Sequence, residues 1–199
     1  MNSDTLLALA AFAFVSSITP GPNNLMLMAS GANFGFRRTL PHMLGVAFGF
    51  MFMLLVVGIG LTQLFIRYPA SYTVLRVVSL FYLLFLAWKI ASASPVKTDA
   101  EDSASKPFSF LQAAAFQWVN PKAWIMSLTA ISVYAGDRSF TQVLIVTLVF
   151  GLVNIPSVSS WAVLGQQISR WLSTPTRLRT FNVTMAVLLV ASLVPSLLE

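Results

Sequence analysis

Apolar residues run along this chain in long blocks, and charged positions fall almost entirely between them. No residue carries a formal charge from Thr5 to Phe36, from Thr39 to Ile66, from Ser139 to Ser169 or from Thr180 to Leu198. About 20 apolar residues of helix cross ~30 Å of hydrocarbon, so each block is long enough to span a bilayer. A membrane barrel would show strands of about ten residues that alternate polar with apolar, whereas these blocks are apolar on every side. The pattern predicts six spans, at Thr5–Asn33, Leu40–Ile66, Ser71–Ala91, Phe108–Ala135, Phe140–Ser169 and Thr180–Leu198. Arg76 and Lys89 interrupt the third near its opposite ends, where long basic side chains reach the two interfaces, with Tyr68, Tyr72 and Trp88 as aromatic anchors. The first block is too long for a cleavable signal peptide, and Asp4 stands where such a peptide is basic, so it is expected to stay as a span.

The second half of the pattern echoes the first. Pro20 in Ser17-Ile-Thr-Pro-Gly-Pro-Asn-Asn24 and Pro121 in Trp118-Val-Asn-Pro-Lys122 interrupt the first span of their halves, and Gly35 and Gly136 each follow fifteen positions later. Val46-Ala-Phe-Gly-Phe50 returns as Leu148-Val-Phe-Gly-Leu152. Three spans per half is an odd number, so the second half enters the bilayer from the opposite face. The expected fold is therefore all-α and integral to the membrane: six transmembrane helices as two inverted three-helix repeats, with proline-broken helices 1 and 4. Residues 1–91 and 108–199 form the repeats of one transmembrane domain, and the Ser- and Ala-rich stretch 92–107 reads as a cytoplasmic connector.

Composition agrees with a bilayer: 57% of residues are hydrophobic and 9% charged, against about a quarter charged in soluble domains. The net charge of +6 does not point to nucleic acid, because the basic residues sit in short loops where they set orientation. Of the 12 Lys and Arg, Arg37, Arg38, Lys89, Lys97, Lys106, Arg170, Arg177 and Arg179 fall on one side, Arg67, Arg76 and Arg138 on the other, and Lys122 inside a span. Positive-inside bias then places both termini outside. With no cysteine, disulfides, thiolate metal sites and dithiol redox chemistry are excluded. Neither a His-Glu-x-x-His helix, a Gly-x-Ser-x-Gly elbow, a membrane aspartate pair nor a phosphate-cradling loop appears, so no enzyme, cofactor or metal site is expected.

What chemistry there is gathers at the breaks. Pro20, Gly21 and Pro22 remove backbone donors and clash with carbonyls four residues back, so the first span should unwind there near mid-bilayer. Such backbone survives only against protein or a wet cavity. The helix restarting after Pro22 offers free N–H groups to a carboxylate, and Thr19, Asn23 and Asn24 add donors and acceptors; a plain structural kink is the competing reading. Lys122, about 14 residues or ~21 Å into the fourth span, is the one charge deep in any span, with no intramembrane acid to pair with. Its partners must be carbonyls (that of Gln117 behind Pro121, for instance), water or a substrate carboxylate. Asn120 and Asn154 each adjoin an expected proline break, at Pro121 and Pro156, and are singled out as cavity-facing, while Gln112 and Gln117 read as amides bridging helices. His42, beside Pro41, reads as interfacial, with a proton relay as the minority reading. Gly31 with Gly35 and Gly45 with Gly49 have the spacing that lets helices pack closely, which includes the possibility of a homodimer.

Thr19-Pro-Gly-Pro-Asn23, Gly31, Gly35-Phe-Arg-Arg38, the Gly45 and Gly49 pair and Ala87-Trp-Lys89 together resemble the LysE/RhtB superfamily of amino-acid exporters over essentially the whole chain. Ser109 to Lys122, with Phe116-Gln-Trp-Val-Asn120, is most similar to the branch that includes cysteine and O-acetylserine efflux proteins. The resemblance implies a bacterial inner-membrane carrier, driven by the proton gradient, that exports small neutral amino acids such as cysteine, O-acetylserine, threonine or homoserine. Its substrate contacts are expected at Thr19, Pro20, Gly21, Pro22, Asn23, Asn24, Asn120, Pro121, Lys122 and Asn154. Some relatives carry an acidic or polar residue where this chain has Phe50, which leaves no carboxylate there to carry a proton. A passive pore or a membrane scaffold is the alternative, since packed glycine helices suffice for either.

Overall fold

The computed structural model describes residues 1–61, 67, 68, 70–92, 106–136 and 139–192, with backbone alone at Tyr72. The connector residues Lys97, Asp99, Glu101 and Asp102, the loop residues Asp137 and Arg138, the anchor side chain of Tyr72, and the ends of the second and sixth predicted spans lie outside the described residues. What is described is helical: α1 (Ser3–Ile18), α2 (Pro22–Phe34), α3 (Phe36–Val56, extended by a wide turn at Val57–Leu61), α4 (Ala70–Ala91), α5 (Phe110–Phe116, tightening into a 3-10 turn at Gln117–Val119), α6 (Pro121–Tyr134), α7 (Phe140–Ser169) and α8 (Pro175–Ala191). Three of these are long and apolar enough to cross a bilayer alone, at Phe36–Leu61, Thr73–Ala91 and Phe140–Ser169; α1 and α2, bent by 53° at their junction, qualify together as a fourth. Both halves run through the same order of helix, break, helix, turn glycine and long helix. Gly35 and Gly136 make those turns with φ of 77° and 35°, a backbone side chains disfavour.

Caps explain where the helices begin. Asn2 Oδ1 accepts from Thr5 N–H at 2.8 Å, Ser109 and Gln112 close a capping box on α5, and Ser139 caps α7. Two starts differ from the sequence reading. The second span begins at Phe36 instead of Leu40, because Gly35 turns the chain in a single residue, so Arg37 and Arg38 lie in the first turn of α3. The last helix begins at Pro175 instead of Thr180, because the Thr174 side chain caps it and proline suits a first turn, which moves Arg177 and Arg179 out of the loop.

The earlier start of α3 also carries His42 further into the helix. Nearly two turns in, its ring is buried at 2% exposure and packs against Phe108 with centroids 5.3 Å apart. Pro156, expected to break its span, does not: α7 runs unbroken from Phe140 to Ser169. The proline removes one N–H, but Ser157 Oγ donates to the Val153 carbonyl (2.8 Å) and Ser159 Oγ to that of Ile155 (2.7 Å), holding the ladder on either side.

Helices meet at glycines. A Cβ on Gly31 would overlap the Ala162 carbonyl, and one on Gly165 the Met28 carbonyl, so α2 and α7 touch backbone to backbone. Likewise Gly45 lies against the Phe110 carbonyl and Gly49 against Ala114 Cα, seating α3 on α5. Of the glycines whose spacing the sequence singled out, Gly31, Gly45 and Gly49 thus serve packing within the chain, whereas Gly35 makes a turn. Apolar clusters lie on both sides of the breaks. One joins α1, α3, α6 and α7 through Leu9, Phe50, Ile131 and Phe150; the other joins α2, α4, α5 and α8 through Leu25, Leu83, Phe116 and Leu189.

Candidate functional site

Unwinding at Thr19, Pro20 and Gly21 strips the end of α1 of its normal backbone donors, and in a bilayer each freed carbonyl needs a substitute. Five consecutive carbonyls find one in a side chain. Thr19 Oγ1 donates to the Ser16 carbonyl (3.1 Å), Trp161 Nε1 to Ile18 (3.1 Å), and Asn24 Nδ2 to both Ser17 and Thr19 (2.8 Å each). Lys122 Nζ, from the first turn of α6, donates to the Thr19 carbonyl (2.8 Å), to Thr19 Oγ1 (2.9 Å) and to the Pro20 carbonyl (3.3 Å). The lone cation therefore compensates the break of the other half, and its partner is not the Gln117 carbonyl, which accepts from Asn120 N–H at 3.3 Å.

Gly21 leaves room for this crossing. Its backbone is extended (φ −178°, ψ 177°) and open to any residue, but a Cβ there would lie 2.7 Å from Lys122 Cδ and 3.1 Å from Nζ. Gly21→Ala is thus expected to fold and to push the ammonium off its carbonyls. A displacement of that kind costs one or two hydrogen bonds to a charge, and export by the variant should fall about tenfold. Initial rates from vesicles holding equal protein check this.

The second break is built differently. Asn120 leaves the helix (φ −94°, ψ 109°) and its Oδ1 accepts from Lys122 N–H at 3.2 Å, so α6 starts with a capped first turn behind Pro121. By contrast α2 has no side-chain cap, and the N–H groups of Asn23 and Asn24 in its first turn face the break. The Asn23 side chain is engaged by Gln117 in a reciprocal amide pair (2.8 and 3.2 Å) that ties the two breaks together.

Between the breaks lies a small cavity of about 20 Å³, room for about one water. Gly21, Asn23, Asn24, Asn120, Lys122 and Asn154 line it, together with Ser16, Ser17, Phe50, Ala123, Met126 and Val158. Of the remaining sequence candidates, Thr19 and Pro20 hold the lysine, and Pro22 and Pro121 open the two half-helices. Asn154 Nδ2 donates to Ser17 Oγ at 3.2 Å, while its buried Oδ1 has no partner. Among the described residues Lys122 is the only ionisable side chain in the wall.

Ser16, Ser17, Gln117 and Trp161 were not picked out as site residues. The first three stand three or four positions before a break proline, where a freed carbonyl recruits polar neighbours, and that spacing was the available signal. Trp161 left none, since only the crossing of α7 brings its indole to Ile18.

Comparison with known proteins agrees with this architecture. The chain is 31% identical over 193 residues to the cysteine/O-acetylserine efflux proteins of Escherichia coli (strain K12) and Shigella sonnei (strain Ss046), covering 96% of this chain and 96% of each relative. No solved structure matches it. The family model described as LysE type translocator matches residues 14–192, a stretch that includes both breaks and every residue lining the cavity between them. These relatives are transporters and not enzymes, and this helical membrane protein belongs to the LysE-type translocator family.

Proposed function

We propose that this translocator exports small neutral amino acids or close derivatives, such as cysteine, O-acetylserine, threonine or homoserine, across the bacterial inner membrane. The carrying observation is the meeting of two proline breaks around one small cavity lined by amides and a lysine. It offers each half of a zwitterion a partner: the uncapped N–H groups of Asn23 and Asn24 suit a carboxylate, and the unpaired Asn154 Oδ1 suits an ammonium. Lys122 already rests in an ammonium cradle made by Thr19 and Pro20. When the cavity opens, the substrate ammonium takes that cradle and Lys122 turns to the substrate carboxylate.

Opening follows from alternating access. Six spans, as inverted repeats 1–91 and 108–199 joined by 92–107, rock against each other about the breaks, with both termini outside. A cavity of about 20 Å³ is too small to pass an amino acid as it stands, which favours a gated carrier over a passive pore. With no carboxylate in the wall among the described residues, Lys122 is the group through which a proton gradient couples to transport.

Vesicles holding the purified protein test the proposal. Under an imposed pH gradient, labelled O-acetylserine or threonine should accumulate uphill, whereas movement only down its own gradient would mean a pore. Asn23→Ala removes the amide pair and should slow export about tenfold, for a loss on the order of 1 kcal/mol from the pair plus disorder in the α2 first turn. Export by Asn23→Ala at the parental rate would remove α2 from the site.

A further inference from the structure

A second cavity, of about 310 Å³, opens where three helices end: the last turns of α2 and α4, the early turns of α3, and residues 106–108 alongside. The ring of His42 lines it, and neither ring nitrogen has a hydrogen-bond partner. Both nitrogens are buried behind the wall, so what the ring presents to the cavity is its carbon face.

The rim is cationic. Lys89 Nζ stands 5.4 Å from the Phe108 ring centroid, Lys106 borders the cavity, and Arg37 and Arg38 border an adjoining groove that shares Lys106, Pro107 and Phe108 with it. Asp4 is the sole acid among the described residues, and it lies in the first turn of α1, in neither wall. The outer wall is aromatic and turned away from the helix bundle: Phe85 is 50% and Trp88 65% exposed. Tryptophan beside lysine at a helix end stands at headgroup depth, so this wall meets lipid. An amphiphile with an anionic head fits every side.

We infer that this cavity binds an anionic phospholipid. Lys89 and Lys106 hold the phosphodiester, and an acyl chain lies along Phe85 and Trp88. Basic pockets between helix ends hold lipid headgroups by the same combination of charge and depth.

The test uses the full chain in phosphatidylcholine vesicles containing a minor fraction of lipid with brominated acyl chains, which quench nearby tryptophan. The difference between the parent and Trp88→Phe isolates the Trp88 signal. Brominated phosphatidylglycerol should half-quench Trp88 at a mole fraction on the order of tenfold lower than brominated phosphatidylcholine, because each of two cations contributes to the enrichment. The Lys89→Gln/Lys106→Gln double variant should bring the two lipids to parity while leaving quenching by brominated phosphatidylcholine unchanged, which shows that the wall is intact. Equal quenching by both lipids in the parent, or a preference that survives in the double variant, would overturn the inference. So would a preference that appears only when Asp99, Glu101 and Asp102 are changed to amides, since the rim would then be covered by the chain's own connector.

Discussion

Lys122→Met, inserted normally and compared in vesicles at equal protein, is expected to export about 100-fold more slowly than the parent. The methionine keeps most of the stem that passes over Gly21, so the loss reports the ammonium. Three acceptors at the end of α1 lose their cationic donor, and hydrogen bonds to a charge are worth about 1.5–3 kcal/mol each before compensation. Asn24 still serves the Thr19 carbonyl, so the net loss should be nearer ~3 kcal/mol, which corresponds to about a hundredfold in binding. Part of it appears as stability: the melting temperature in detergent should drop by about 4–8 °C, as a loss of ~2 kcal/mol gives for a chain of this size. A variant with parental export and a lowered melting temperature would mean that the lysine only braces the break.

Gly165→Val is expected to be the most destabilising single change away from the breaks. A side chain there meets the Met28 carbonyl and lies 3.0 Å from Ala32 N, both of them backbone, which cannot swing aside as a side chain can. Separating α2 from α7 also opens the reciprocal contact of Gly31 with Ala162. Overpacking of this kind costs about 1–3 kcal/mol, and the two linked contacts place the variant at or beyond the upper end. Thermal unfolding followed by tryptophan fluorescence should show a drop of about 6–12 °C, on the scaling of about 2–4 °C per kcal/mol. A drop under about 2 °C would contradict direct backbone contact between these helices.

Local covalent constraints were the legible part of the fold. Proline at positions 20, 22 and 121 removes donors whatever surrounds it, so both breaks could be placed from sequence, and an uninterrupted apolar run behind Ser139 put the bounds of α7 at Phe140 and Ser169. Single-residue events were harder to read. Gly35 turning in one step, and Thr174 capping Pro175, shifted two helix starts by four or five residues. Pro156 carries the same covalent constraint as Pro121, yet with flanking serines and packing on both sides its helix runs on unbroken, which no local rule distinguishes.

At the site, residue types were legible and pairings were not. Lys122 and the carbonyls of Thr19 and Pro20 are about a hundred positions apart, and periodicity does not say that the lysine of one break serves the other. The same holds for Asn23 with Gln117 and for Trp161 with Ile18. Burial of His42 against Phe108 is another such long-range contact.

Because the chain contains no cysteine, a single introduced thiol reports on one position without background. Ser16→Cys places it in the cavity wall beside the α1 break, and Leu152→Cys, at a site 76% exposed on the outer face of α7, serves as the control. The decisive measurement is the rate at which a small, membrane-impermeant thiol reagent labels each variant, with and without saturating amino acid. Labelling at Ser16→Cys that the amino acid suppresses at least about tenfold, with none at Leu152→Cys, is the expected result for a substrate pocket between two broken helices. Labelling at Ser16→Cys that proceeds at the same rate whether or not the amino acid is present would contradict it.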